Sequence, residues 1–283
     1  MLGKNLLALG LAGTLLVGLS GAANAEMRPS TSTMAVPVVN PSQAGPTRLY
    51  SVPRADVLGT GTNLMSVSLG IGSIGIGPAP VGIGIASVSG NALNLRADMG
   101  MSPGFELGTG IGVIATAPWR GRLDMSGKWA WLNEGAAIAS VAGLAGGVLE
   151  IDANGTPSLG LQVGLPVSKL FPFGVGQLVG LSVVPTWNLG LLSAGSAVGA
   201  TGPFNFFGLG LGADLMLVPN LHLLADTNLG FPIAGINTQS ALGVRYEFSR
   251  DLTGDLFVGF ASGQNLGLGG GVRSLGIGST WRY

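Results

Sequence analysis

Residues 122–132 read RLDMSGKWAWL. Arg122, Asp124 and Lys128 share one parity, while Leu123, Met125, Trp129 and Trp131 share the other. A period of two marks a β-strand, whose successive side chains point to opposite faces. A face carrying two tryptophans, a leucine and a methionine suits contact with lipid, and the charges on the other face then point into a shared interior.

The alternation extends in both directions. LMSVSLGIGS, residues 64–73, sets Met65, Val67, Leu69 and Ile71 against Ser66, Ser68, Gly70 and Gly72. Wherever charge falls inside such a run it opposes the large apolar residues. Arg96 and Asp98 oppose Leu93, Leu95 and Met99, and Glu106 opposes Phe105 and Ile111. Asp214 opposes Leu209, Leu211, Leu215 and Leu217; Asp226 shares the parity of His222, Leu224 and Asn228. Arg245 and Glu247 oppose Leu242, Val244, Tyr246 and Phe248, while Asp255 opposes Leu256, Val258 and Phe260. An outward cation costs about 2–4 kcal/mol at the bilayer midplane and little near the interfaces. Arg273 is the exception in parity, and it falls at the loop end of the last strand.

Composition points to the same medium. The chain has 283 residues, 51 of them glycine, with 9% charged, 13 basic and 13 acidic side chains and no cysteine. An average soluble domain carries about 25% charge and about 7% glycine. The neutral balance argues against nucleic acid, which needs clustered Lys and Arg. Without cysteine there are no disulfides, thiol nucleophiles or thiolate metal sites.

The pattern predicts an all-β protein, a transmembrane antiparallel up-and-down β-barrel of about twelve strands (range roughly 10–14), each near the 9–11 residues that cross a bilayer when tilted. They fall near 63–72, 92–100, 104–114, 122–132, 136–147, 158–168, 177–188, 206–218, 220–230, 239–249, 252–262 and 273–283. Links after even strands are mostly short, such as Met101-Ser102-Pro103, Asn133-Glu134-Gly135, Pro219-Asn220 and Arg250-Asp251. Those after odd strands are longer, for example VLEIDANGTP and LGLLSAGSAVGATGPFN. With the short turns on the periplasmic side, Phe105, Trp129, Trp131, Tyr246, Phe248, Trp281 and Tyr283 form one interfacial girdle, and Trp187, Phe207 and Phe260 mark the other.

The last residues, GIGSTWRY, resemble the C-terminal assembly signal of bacterial outer-membrane barrel proteins: a glycine, then outward aromatic or apolar residues, with an aromatic last. Gly278, Trp281 and Tyr283 match, whereas Gly276 stands where that signal is usually polar. The resemblance covers residues 63–283 in pattern and assigns no particular family. It implies membrane lipid and the outer-membrane assembly machinery as partners.

Lys4, the apolar run Leu6–Leu19 and Ala23-Asn24-Ala25 predict an export signal over 1–25, cleaved after Ala25, and hence an outer-membrane location. The run is shorter than the roughly 20 residues of a membrane-spanning helix. Residues 26–62, rich in Pro, Ser and Thr, read as a linker or inserted plug, and 63–283 as the barrel.

Few motifs carry chemistry. Gly70, Gly72 and Gly75 match a dinucleotide fingerprint by letter, but Pro78 and Pro80 deny the helix it needs, so no cofactor follows. Asn154-Gly155-Thr156 reads as a turn. His222, the lone histidine, could meet Asp226 and raises a barrel-borne hydrolase, yet Ser240 has the parity opposite to Arg245. A zinc site lacks thiolates and a second histidine. Arg96, Asp98 and Glu106 are expected to face one another across one hairpin, and Arg245, Glu247 and Asp255 across another. The interior charges Arg96, Asp98, Glu106, Arg122, Asp124, Lys128, Asp214, Asp226, Arg245, Glu247 and Asp255 could line a constriction or form a salt-bridge network that fixes the register. The lumen glycines, among them Gly108, Gly110, Gly208, Gly210 and Gly212, leave room inside.

Twelve strands fall between the eight that side chains fill and the sixteen to eighteen of an open channel. The expectation is a narrow, non-enzymatic channel for small solutes. The alternatives are a non-conducting structural or surface-exposed barrel, a hydrolase, or a helical membrane protein suggested by the charge-free stretch between Lys169 and Asp214 and a mean hydropathy of +0.53.

Overall fold

The computed structural model describes residues 49–50, 52–72, 91–115, 120–134, 137–152, 155, 157–174, 177–193, 204–231, 236–263 and 272–283. They belong to one compact unit, Ser42–Tyr283. The expected export signal with Ala23 and Ala25, and the linker as far as residue 48, lie outside the described residues, as do Gly75, Pro78, Pro80, Asn154 and Thr156.

The strands are β1 Asn63–Gly72, β2 Asn91–Ser102, β3 Phe105–Ala115, β4 Arg120–Leu132, β5 Ser140–Asp152, β6 Pro157–Gly164, β7 Val167–Gly174, β8 Gln177–Ser193, β9 Phe204–Val218, β10 Leu221–Phe231, β11 Asn237–Ser249, β12 Leu252–Gly263 and β13 Val272–Arg282. Each pairs antiparallel with its neighbours, and β1 pairs with both β2 and β13, which closes the sheet. β6 and β7 lie end to end, since both pair with β5 and with β8. The wall therefore has 12 staves. Closure removes free edges, as a bilayer demands of a backbone that water does not reach.

The break between β6 and β7 falls at Leu165-Pro166, opposite Pro185 of β8. Two prolines without an N–H interrupt the ladder there. The freed groups are still used: Ala142 N–H donates to Pro166 O at 2.9 Å and Leu165 N–H to Pro185 O at 3.0 Å.

The strand positions match the sequence pattern except around this break and at the end of β8, which runs to Ser193 where a loop was expected from residue 189. The fifth strand, expected at 136–147, runs Ser140–Asp152, and the sixth continues past the prolines to Gly174. The run Ala142–Gly147 alternates too weakly to set bounds, and Glu150 reads as loop until Arg122 is seen opposite it in the register. The expected loop 148–157 is thus mostly strand. Charge-free sequence after Lys169 likewise folds as β7, β8 and β9, which excludes the helical alternative there. Pro103-Gly104 makes the β2–β3 turn, with Gly104 at φ 79°, a conformation that favours glycine.

The two faces separate as the parity requires. Trp131 is 62% exposed and Phe248 64%, while Glu106 is 2% and Lys128 3% exposed. Rings pair along the outer surface at the turn end, Phe105 with Trp129 at 5.1 Å and Tyr246 with Phe248 at 5.0 Å. At the loop end Phe207 and Phe231 stack at 6.1 Å. Lys169 breaks the outward pattern, and its ammonium is capped by Ile138 O at 2.5 Å and the Phe171 ring at 5.5 Å. The Arg273 side chain is outside what the structure describes.

Candidate functional site in the barrel lumen

On β2–β5 the inward charges form a chain of pairs. Arg96 Nε donates to Asp98 Oδ1 at 2.9 Å, Nη1 to Asp124 Oδ1 at 2.5 Å and Nη2 to Ser126 Oγ at 2.8 Å. Arg96 sits on β2 and Asp124 on β4, so the guanidinium crosses β3. It can do so because Gly108 and Gly110 occupy β3 there; a Cβ on Gly108 would strike Arg96, and one on Gly110 would lie 2.7 Å from Asp124 Oδ2. The room expected from the lumen glycines is thus taken up by charged side chains. Lys128 Nζ lies 3.2 Å from Glu106 Oε2, its register partner, and Arg122 Nη1 4.0 Å from Glu150 Oε1. Glu106 thus meets Lys128 directly across β3–β4, a partner that the expected grouping of Glu106 with Arg96 and Asp98 did not include.

On β9–β12 a second group gathers. His222 Nδ1 lies 2.8 Å from Asp214 Oδ1 on β9, and Nε2 lies 3.5 Å from Glu247 Oε1 on β11. His222 thus meets residues of the two flanking strands, because cross-strand neighbours approach more closely than residues four apart along one strand, as His222 and Asp226 are. Arg245 forms a two-pronged bond with Asp255, at 2.7 and 3.3 Å. Ser240 turns to the outer face and bonds Thr227 Oγ1 at 2.7 Å.

The segment preceding β1 joins these groups. Leu49, Tyr50, Val52, Ala55 and Leu58 are at most 3% exposed, and the first three form one apolar cluster with the wall residues Val184, Leu224 and Phe257. Val52 N–H donates to Asp226 Oδ2 at 3.2 Å, Ala55 N–H to Ser168 Oγ at 2.9 Å and Leu58 N–H to Glu106 Oε2 at 3.0 Å. Arg54 Nη1 lies 3.1 Å from Asp214 Oδ2, and its Nε lies 3.3 Å from Asp56 Oδ2. Glycines make the seat: a Cβ on Gly212 would strike Leu49, and one on Gly210 would lie 3.2 Å from Val52. Tyr50 rests on Phe257 with ring centroids 4.7 Å apart, and Phe257 itself lies over Gly276. At the base, Gly61 N–H donates to Gly100 O and Gly100 N–H to Thr62 O, at 2.8 and 2.9 Å. Burial, with Asp255 beside it, pushes the Tyr50 phenol well above its ordinary pKa, so it stays neutral.

Beside the segment lies a cavity of about 60 Å³, lined on the wall by Ser66, Asn94, Arg96, Asp124, Arg245 and Thr280. At about 10–15 Å³ per water centre, that space holds a few waters.

Arg54, Tyr50 and Phe257 were missed as lumen residues in the sequence reading. The first two lie outside any strand, so no parity locates them, and Phe257 is a large apolar residue of inward parity that only Gly243 and Gly276 on its flanking strands explain. A signal for it was present: glycine on both neighbours is where a lumen can take a ring.

A closed wall with an apolar, aromatic-belted outside and paired charges inside defines a transmembrane β-barrel of the bacterial outer-membrane kind. No family model and no curated protein matches the chain. Among solved structures, the NanC porin shares 12% identity at a TM-score of 0.52, over 77% of this chain and 100% of that one. The outer-membrane channel from Pseudomonas putida F1 gives 12% identity and 0.49, over 81% and 98%. The KdgM porin in complex with disordered oligogalacturonate gives 8% and 0.47, over 78% and 99%. The likeness to NanC is one of fold.

Proposed function

We propose that the chain is an outer-membrane channel for small solutes, with its short turns in the periplasm, its lumen charges as the filter and residues 49–62 as a plug that narrows the passage. The observation that carries this is the cavity left between the segment and the wall, which Arg96, Asp124 and Arg245 line together with apolar groups such as Leu49 and Phe257. The reading is non-enzymatic: both ring nitrogens of His222 face carboxylates, and Ser240 points away from it.

Single-channel recording of the folded barrel in a planar bilayer tests it. Discrete current steps of stable size are expected. A silent bilayer with protein shown to be inserted supports the second reading, a non-conducting envelope barrel, which the burial of Leu49, Tyr50 and Val52 favours.

A further inference from the structure

The wall that faces the plug is unevenly charged. Each of β9, β10, β11 and β12 turns a carboxylate inward: Asp214, Asp226, Glu247 and Asp255. In sequence these four strands contain one Lys or Arg, Arg245, and Asp255 holds it in a two-pronged bond. Apart from the His222 ring, the basic group paired with Asp214 comes from elsewhere in the chain: the Arg54 guanidinium, whose side chain is 6% exposed. A carboxylate this far from water is stable as an anion only with a cation or several donors beside it. Arg54 thus fills a place that the wall leaves for a positive group.

A second observation shows that the segment is an imperfect occupant. Tyr50 is 1% exposed and its hydroxyl has no hydrogen-bond partner among the described residues, although the charges of Asp255, Arg245, Asp226 and Asp214 act on it. A buried hydroxyl left unpaired disfavours the state that buries it. Covalent linkage to β1 keeps Arg54 at high effective concentration and offsets that misfit.

We propose that the Arg54 seat, centred on Asp214, is a binding site for a cationic solute bearing a guanidinium or primary ammonium group, with Arg54 as a tethered occupant that such a solute displaces. The seat fits a planar guanidinium because Asp214 Oδ2 accepts from Arg54 Nη1 while Oδ1 is held by His222, which fixes the plane of the carboxylate. The inference names the solute class of the channel and rests on that reading for its purpose, though the binding itself is measured separately.

Agmatine is the probe, with glucuronate as an anionic control, titrated by calorimetry into the full barrel with its N-terminal segment, folded in detergent. Arg54→Gln removes the competing charge and is expected to bind agmatine at least about tenfold more tightly than the unmodified chain. Arg54→Lys keeps the charge and should bind as the unmodified chain does. Adding Asp214→Asn to Arg54→Gln should weaken binding at least about tenfold and, having no buried unpaired carboxylate at position 214, guards against a folding artefact. The proposal is overturned if Arg54→Gln binds no more tightly, if Asp214→Asn leaves binding unchanged, or if glucuronate binds better than agmatine. Failure of the channel reading looks different: a silent bilayer alongside intact, Asp214-dependent agmatine binding.

Discussion

Arg54 Nη1 lies 3.1 Å from Asp214 Oδ2, across 160 residues of sequence. The two side chains are 6% and 10% exposed. This contact ties a segment that precedes the barrel to the ninth strand. Breaking a buried pair from one side costs about 3–5 kcal/mol in a rigid site, and less where the segment can leave and let water reach the remaining carboxylate.

Arg54→Ala should therefore loosen the segment more than it destabilises the wall. Limited chymotrypsin digestion of the folded protein reads this, because Tyr50 is buried and its neighbourhood is protected. Cleavage after Tyr50 is expected to accelerate in the variant, and equal protection in both proteins would show that the pair does not hold the plug.

The chain has no cysteine, so an introduced pair reports cleanly. Val52 approaches the Cβ position of Gly210 at 3.2 Å, within reach of a disulfide. Val52→Cys with Gly210→Cys should cross-link on oxidation and hold the current low, and a reductant should raise it. Current that ignores the redox state would mean that the segment does not obstruct the path.

Arg96 neutralises both Asp98 and Asp124 on the cavity wall. Arg96→Gln is expected to move the reversal potential in a salt gradient toward cation preference and to lower stability by about 3 kcal/mol in denaturant. Lower stability with an unmoved reversal potential would assign the cluster to register alone.

The outward parity predicts a penalty wherever a cation is put on it. Met125 and Leu256 are each 53% exposed. Met125→Arg or Leu256→Arg should cost about 2–4 kcal/mol in lipid vesicles at mid-depth. A neutral outcome for both would contradict the lipid-facing assignment.

Trp281 pairs with Met65 and Leu252, and Tyr283 N–H donates to Asn63 O at 3.1 Å, so the last residues seal the seam between β1 and β13. Deleting Trp281 through Tyr283 should prevent stable accumulation in the outer membrane. Full accumulation of the truncated chain would refute the assembly role.

The sequence by itself determined the strands and their faces, because a period of two is local: each residue's parity decides which medium it meets, and a wrong parity costs free energy at every charged position. Arg122, Asp124 and Lys128 against Trp129 and Trp131 made that readable within a single strand. The sequence placed the bounds of β5 and β6 poorly, since glycine and alanine carry little face preference and the prolines at 166 and 185 look like a strand end. Only the tertiary structure decided the partners. Arg96 reaches Asp124 because β3 offers glycine at the crossing, and Glu106 finds Lys128 because the register sets them opposite. His222 takes Asp214 and Glu247 from flanking strands. The seat of Arg54 was invisible for a further reason: the segment has no period of its own, and what fixes it is a set of carboxylates and glycine gaps that come together only when the sheet closes.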